Sequence, residues 1–256
     1  MFRIATWNVN SLRVRLPHVL DWLDSESPDV LALQETKLTD DNFPSDEFQR
    51  IGYQAVFSGQ KTYNGVATLS KLPAKNIISG LPDYADTQKR VLCADISDIT
   101  VLNLYVPNGS EVGSEKYAYK LEWFSRLQPF VNDLLSTDKK LVILGDFNVA
   151  PEDRDVHDPG EWAGSVLVSE AERTEFRKLL AAGLSDTFRL FEQEENSFSW
   201  WDYRAAAFRR NRGLRIDHIL VNQTLAEICR ACRIDKHPRT LERPSDHTPV
   251  IADFDL

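Results

Sequence analysis

Leu141-Val142-Ile143-Leu144-Gly145-Asp146-Phe147-Asn148 is the stretch on which the fold turns. Four apolar residues follow one another without a polar alternate, the pattern of a strand buried on both faces. Such a strand needs a packed layer on each side. The run stops at Gly145-Asp146, so a carboxylate stands where the strand ends. The same grammar recurs in Phe2–Thr6 before Trp7-Asn8, Val30–Leu33 before Gln34-Glu35, and Val101–Tyr105 before Pro107-Asn108. Ile216–Val221 begins beside Asp217, and Val250–Phe254 follows Asp246-His247.

Helices are expected between these runs. Leu16, Val19, Leu20 and Leu23 follow the i, i+3, i+4, i+7 spacing, with Pro28 as the stop. Tyr117, Leu121, Phe124 and Leu127 form a second stripe, with a break expected at Pro129. Ser169 and Glu172 have capping-box spacing, and Gly183 closes the helix they open. Strands and helices interleave with no linker and no repeat. The expected class is therefore α/β or α+β, with mixed sheets and one domain over residues 1–256.

Strands ending along one edge would bring Asn8, Glu35, Asn108, Asp146, Asn148, Asp217, Asp246 and His247 to a single rim, where functional sites commonly form. Carboxylates, amides and one imidazole make a hard, oxygen-rich set that suits Mg²⁺ or Mn²⁺ better than zinc. The five histidines (His18, His157, His218, His237, His247) contain no H-x-x-x-H pair. Taken singly, each rim residue also reads as a turn former or helix cap. Their order at successive strand ends is what carries the reading.

The bulk properties bound the alternatives. No run approaches the roughly 20 apolar residues of a membrane span. The first residues lead straight into a strand without a signal-peptide pattern, so a cytoplasmic protein is expected. Three cysteines make no disulfide framework, and Cys229-x-x-Cys232 lacks a second pair to complete a zinc site. The net charge of −9 opposes bulk attraction to nucleic acid, so phosphate contacts would have to be local. Arg204, Arg209, Arg210, Arg212 and Arg215 form a basic cluster, and Lys37, Lys61, Lys89 and Arg90 lie in loop-like segments.

The blocks Trp7-Asn8-Val9-Asn10, Leu33-Gln34-Glu35-Thr36-Lys37, Gly145-Asp146-Phe147-Asn148 and Ser245-Asp246-His247 resemble the signature of the endonuclease/exonuclease/phosphatase superfamily. Tyr105-Val106-Pro107-Asn108, Phe198-Ser199-Trp200-Trp201-Asp202-Tyr203 and Asn211-Arg212-Gly213-Leu214-Arg215-Ile216-Asp217 are similar to its exonuclease III and AP-endonuclease branch. The resemblance runs from Phe2 to Phe254. It implies a four-layered sandwich, two mixed β-sheets packed face to face with helices outside. It also implies a Mg²⁺- or Mn²⁺-dependent phosphodiesterase, monomeric, acting on double-stranded DNA with nicks, 3′ ends or abasic lesions.

By the same resemblance, Asn8, Glu35 and Asp246 correspond to the metal-binding group. Asp146, with Asn148 beside it, corresponds to the residue that orients or deprotonates water. His247, oriented by Asp217, would contact the phosphate together with Tyr105 and Asn108. Asn10, Lys37 and Arg212 are expected to face the substrate, and Trp200, Leu214 and Ile216 to line a pocket for the sugar at the lesion. His157 departs from the pattern, since similar bacterial sequences often carry glycine there. An imidazole beside the groove would hinder a continuing strand and admit one that ends. The expectation is 3′-phosphatase and 3′→5′ exonuclease action over internal abasic-site cleavage. The competing readings are a full AP endonuclease, a superfamily phosphatase acting on a small phosphate ester, and a catalytically dead binding module. Every matched catalytic position is filled, which argues against the last.

Overall fold

A computed structural model describes residues 1–256. Twelve strands follow in chain order: β1 (Phe2–Asn8), β2 (Val30–Gln34), β3 (Gln54–Ser58), β4 (Val66–Ser70), β5 (Ala74–Ser79) and β6 (Val91–Ile96), then β7 (Ile99–Tyr105), β8 (Lys140–Asp146), β9 (Leu184–Asp186), β10 (Asp217–Asn222), β11 (Cys229–Ile234) and β12 (Val250–Phe254). They form two six-stranded sheets, ordered β11-β12-β1-β2-β4-β3 and β5-β6-β7-β8-β10-β9. β1 runs parallel to β2, and β7 parallel to β8, while the remaining neighbours are antiparallel. Both sheets are therefore mixed, as expected.

The principal helices are α1 (Leu12–Glu26), α2 (Ser45–Arg50), α3 (Glu115–Leu135), α4 (Pro159–Trp162), α5 (Glu170–Ala181) and α6 (Gln223–Ile228). The period of two along each strand assigns the layers. Val142 and Leu144 join Ile4, Val30, Ala32, Ile219 and Val250 in the core between the sheets. Leu141 and Ile143 point the other way, into a core with Trp123, Phe124, Leu127 and Phe176 of α3 and α5. Ala5, Trp7, Leu31 and Leu33 pack likewise against Val19, Trp22 and Leu23 of α1. Continuous apolar runs are needed because both strand faces are covered.

The six strands legible as apolar runs form three adjacent interior strands in each sheet, β12-β1-β2 and β7-β8-β10. α3 corrects one expectation: it continues through Pro129 without ending. Interior proline costs roughly 3 kcal/mol. The buried side chains Trp123, Phe124, Leu127, Phe130 and Val131 lie on both sides of it, and their burial outweighs that cost. α1 ends before Pro28, at Ser27, whose left-handed backbone lets its N–H donate to Leu23 O. The capping box at Ser169 and Glu172 is present. No helix is long and apolar enough to cross a membrane. All three cysteines are free and buried.

The basic cluster is also corrected. Arg209 and Arg210 are exposed, but Arg215 is buried and bonded to Asp155 (2.7 Å) and Asp186 (2.8 Å). It serves the interior and faces no solvent. Beside it, His218 donates from Nε2 to Val149 O (2.9 Å) and accepts at Nδ1 from Arg215 (3.0 Å). Burial, aided by the Arg215 charge, lowers its pKa to about 4. The unfolded chain takes up this proton near pH 6.5 and the folded chain only near 4, so the unfolded state binds more protons in between. His218 should thus withdraw up to about 3 kcal/mol of stability as pH falls through that window. Urea unfolding at several pH values, for the parent and His218→Gln, measures it: the parent's extra loss on acidification should disappear in the variant.

Candidate active site

The rim is set by register. Tyr105, Asp146 and Asp217 lie side by side across β7, β8 and β10. Just before Asp146, Gly145 has φ 143° and a Cβ there would lie 1.9 Å from Leu104 O, so only glycine lets the strands approach this closely. On the facing sheet, Asn8 ends β1 and pairs in register with Gln34, the residue before Glu35. His247 precedes β12. Parallel strands ending upward and antiparallel strands starting there bring all these side chains to one place.

Asn8 joins the two sheets: its amide nitrogen donates to Glu35 Oε1 and to Asp146 Oδ2, both at 2.9 Å. The Tyr105 hydroxyl donates to Glu35 Oε1 at 2.9 Å. Lys37 Nζ lies 2.9 Å from Glu35 Oε2 and donates to Asn10 Oδ1 at 2.5 Å. Asn10, Glu35, Lys37 and Asn148 all have positive φ, between 42° and 55°. Conformations of this kind cost of order 1–3 kcal/mol and gather at functional sites. Here they are held by backbone bonds, including Ser11 N–H to Glu35 O (2.8 Å) and Lys37 N–H to Asn64 O (2.9 Å). Asn148 donates its backbone N–H to Asp146 Oδ1 (2.9 Å) and its amide to Val106 O (3.0 Å), while its Oδ1 accepts from the exposed Asn108 (3.0 Å).

His247 Nδ1–H donates to Asp217 Oδ2 at 2.9 Å, and its Nε2 lies 3.7 Å from Asp146 Oδ2. Burial alone would lower this imidazole's pKa, but Asp217 and Asp146 outweigh it and push it up to about 10. His247 is thus a cation at neutral pH, with Nε2–H aimed at Asp146. Burial raises the Asp146 pKa above the usual carboxylate value, against the opposing pull of His247. Ser199, not singled out in the sequence, holds Asp217 through a 2.7 Å hydrogen bond to Oδ2. It sits inside the Phe198–Tyr203 block but carries no spacing signal of its own.

Ligand atoms of Glu35, Asp146 and His247 lie within 4.8 Å of one another. Two carboxylates and an imidazole this close could hold a divalent cation, and the Lys37 ammonium already lies 2.9 Å from Glu35 Oε2. The Asp246 carboxylate accepts from Asn10 Nδ2 (2.9 Å) and Trp200 Nε1 (3.0 Å). Burial would raise the Asp246 pKa, but His247 and those two donors hold it below the usual carboxylate value.

Trp200 stands edge-on to Trp162, and Trp162 edge-on to His157, at centroid distances of 6.4 and 6.3 Å. Leu214 and Ile216 are fully buried beneath them with Val156, Leu167 and Val168. Neither presents free surface, which corrects their expected place on a pocket lining. His157 faces this aromatic row and not open solvent: its side chain is 11% exposed. Nε2 accepts from Arg212 Nε at 3.1 Å, Nδ1 faces Gly213 O at 3.3 Å, and Arg212 also pairs with Glu161.

The Endonuclease/Exonuclease/phosphatase family model matches residues 5–247. Exodeoxyribonuclease III of Haemophilus influenzae is 38% identical, covering 98% of this chain and 99% of its own length. Among solved structures, the 3′ phosphatase NExo from Neisseria, bound to a product DNA hairpin, has TM-score 0.98 and 47% identity over 100% of both chains. An AP endonuclease from Archaeoglobus fulgidus has TM-score 0.96 and 42% identity, also over 100% of both. With the two-sheet fold and the strand-end constellation, these matches make the chain a member of the endonuclease/exonuclease/phosphatase family, on its exonuclease III and AP-endonuclease branch.

Proposed function

We propose that this protein is a divalent-metal-dependent phosphodiesterase that processes 3′ ends in double-stranded DNA, releasing 3′-phosphate and trimming nucleotides in the 3′→5′ direction. The observation that carries the reading is the buried row Asp217–His247–Asp146 beside Glu35. A proton acceptor and a fixed imidazolium face one spot, which suits attack of water on phosphorus.

Asp146, its carboxylate oriented by Asn8 and Asn148, takes the proton of the attacking water. The P–O bond to the 3′-oxygen breaks as the new P–O bond forms. His247 donates from Nε2 to a non-bridging phosphoryl oxygen, and Asp217 keeps Nδ1–H occupied so that Nε2 faces the substrate. Tyr105 and Asn108 are further phosphate-facing donors. Glu35, with Asn8 and Asp246, would hold Mg²⁺ or Mn²⁺, which would supply positive charge to the phosphoryl and leaving 3′-oxygens. Asn10, Lys37 and Arg212 serve the substrate backbone, and Trp200 flanks the terminal sugar. Asp246 also accepts from Trp200 and Asn10, which fixes its carboxylate.

His157 supports the preference for ends. Held between Arg212 and Trp162, it would hinder a strand continuing past the terminal sugar more than one that ends there. Chelation tests the metal reading. Excess EDTA should abolish phosphate release from a nicked duplex carrying a 3′-phosphate, and Mg²⁺ or Mn²⁺ should restore it. Glu35→Ala should raise the metal concentration required. Full turnover in EDTA would contradict the assignment.

A further inference from the structure

Lys120 is fully buried in the second turn of α3, where a lysine ordinarily snorkels to water. Its three ammonium protons have three acceptors: Asn108 O at 3.0 Å, Asn148 O at 2.6 Å, and the Glu172 carboxylate. Glu172 is itself saturated, accepting from Leu167 N–H (3.0 Å) and Ser169 N–H (3.1 Å) in the cap of α5. One turn earlier on α3, the Tyr117 hydroxyl bonds Ser169 Oγ at 2.6 Å. The loop is shaped around this side chain: Gly109 has φ 94°, and a Cβ there would lie 3.1 Å from Lys120 Cδ. An ion pair this deep brings little net stability, because desolvation offsets attraction. Stability alone therefore gives no account of it.

We propose that Lys120, anchored by Glu172, is a positioning residue that sets Asn108 and Asn148 for catalysis. Asn108 and Asn148 sit on loops leaving two neighbouring strands, β7 and β8, and their side chains meet at 3.0 Å. A single ammonium gripping both carbonyls fixes the distance between those loops. It also steadies the positive-φ peptide of Asn148 (φ 49°), whose N–H and amide orient the Asp146 carboxylate. Lys120 touches no reacting atom and acts only through the asparagines. The inference rests on the functional reading above.

The test separates positioning from folding. Lys120→Met alone leaves Glu172 buried without its cation, and its melting temperature should fall by roughly 10 °C. Adding Glu172→Gln removes that charge and should recover most of the loss. Phosphate release is then measured well below the melting point for Lys120→Met/Glu172→Gln, in the parent and in an Asn148→Ala background. In the parent, the pair should lower kcat about tenfold with KM within about threefold. In the Asn148→Ala background it should cost distinctly less, about threefold, because the amide it positions is gone while the backbone carbonyl it grips remains. Equal losses in both backgrounds, or no loss in the parent, would overturn the inference alone. A parent that releases no phosphate would overturn the reading beneath it.

Discussion

His247→Ala should lower kcat for 3′-phosphate release by about 10²–10³-fold, with KM changed only several-fold, as for loss of a buried charge-stabilising donor. The imidazolium is held by Asp217 at 2.9 Å and kept protonated to about 10 by two carboxylates. Its charge therefore meets the phosphoryl oxygens as negative charge develops there. Asp217→Asn should be milder. An asparagine keeps the shape and can accept from Nδ1–H, but it withdraws the charge that maintains the imidazolium. Rapid-quench kinetics on a nicked 3′-phosphate duplex measures the chemical step. A chemical step for His247→Ala within tenfold of the parent would mean that the imidazole is structural.

Asp146→Asn should lower the same step by about 10²–10⁴-fold, the range for removing a general base. The substitution is nearly isosteric and leaves the strand-end backbone unchanged. What it deletes is the proton acceptor. It also turns an ionic acceptor for Asn8 and Asn148 into an amide that satisfies both donors less well. Substrate binding should survive or tighten, because a negative charge facing the phosphate is gone. Nitrocellulose filter binding and single-turnover rates together make the check. A variant that loses DNA binding while keeping its chemical step would reverse the roles.

Much of this site was legible because the chemistry sits where apolar runs stop. Asp146 after Leu141–Leu144 and Glu35 after Val30–Leu33 are the plainest cases. The central strands need unbroken apolar runs, since both faces are covered. β4 and β6 are just as buried but were not legible: Thr68 and Ser70 interrupt one run and Asp95 the other, satisfied by partners a sequence does not show. The same reason hid Ser199 and Lys120. Lys120 stands beside the apolar stripe of a helix, where lysine ordinarily means solvent, and its acceptors lie on loops that only the tertiary fold brings near. Arg215 misled in the opposite sense: five arginines close in sequence look like one surface, but Asp155 and Asp186 draw one of them inside. Asp246 stands with Glu35 by family resemblance alone, and no spacing in the sequence shows what bonds its carboxylate. The indole of Trp200 and the amide of Asn10 take up its carboxylate.

The central claim is chemistry at DNA 3′ ends, and it is tested most directly by comparing initial rates under Mg²⁺ on two duplexes. One carries a nick with a 3′-phosphate, and the other an internal abasic analogue in an unbroken strand. Phosphate release is expected to outpace incision by at least about tenfold, since water attacks phosphorus in both and, on the proposal above, His157 hinders only the unbroken strand. His157→Gly should raise incision and leave phosphate release within a few-fold of the parent. Efficient incision of the abasic duplex by the unaltered protein, with phosphate release equal or slower, would contradict the account.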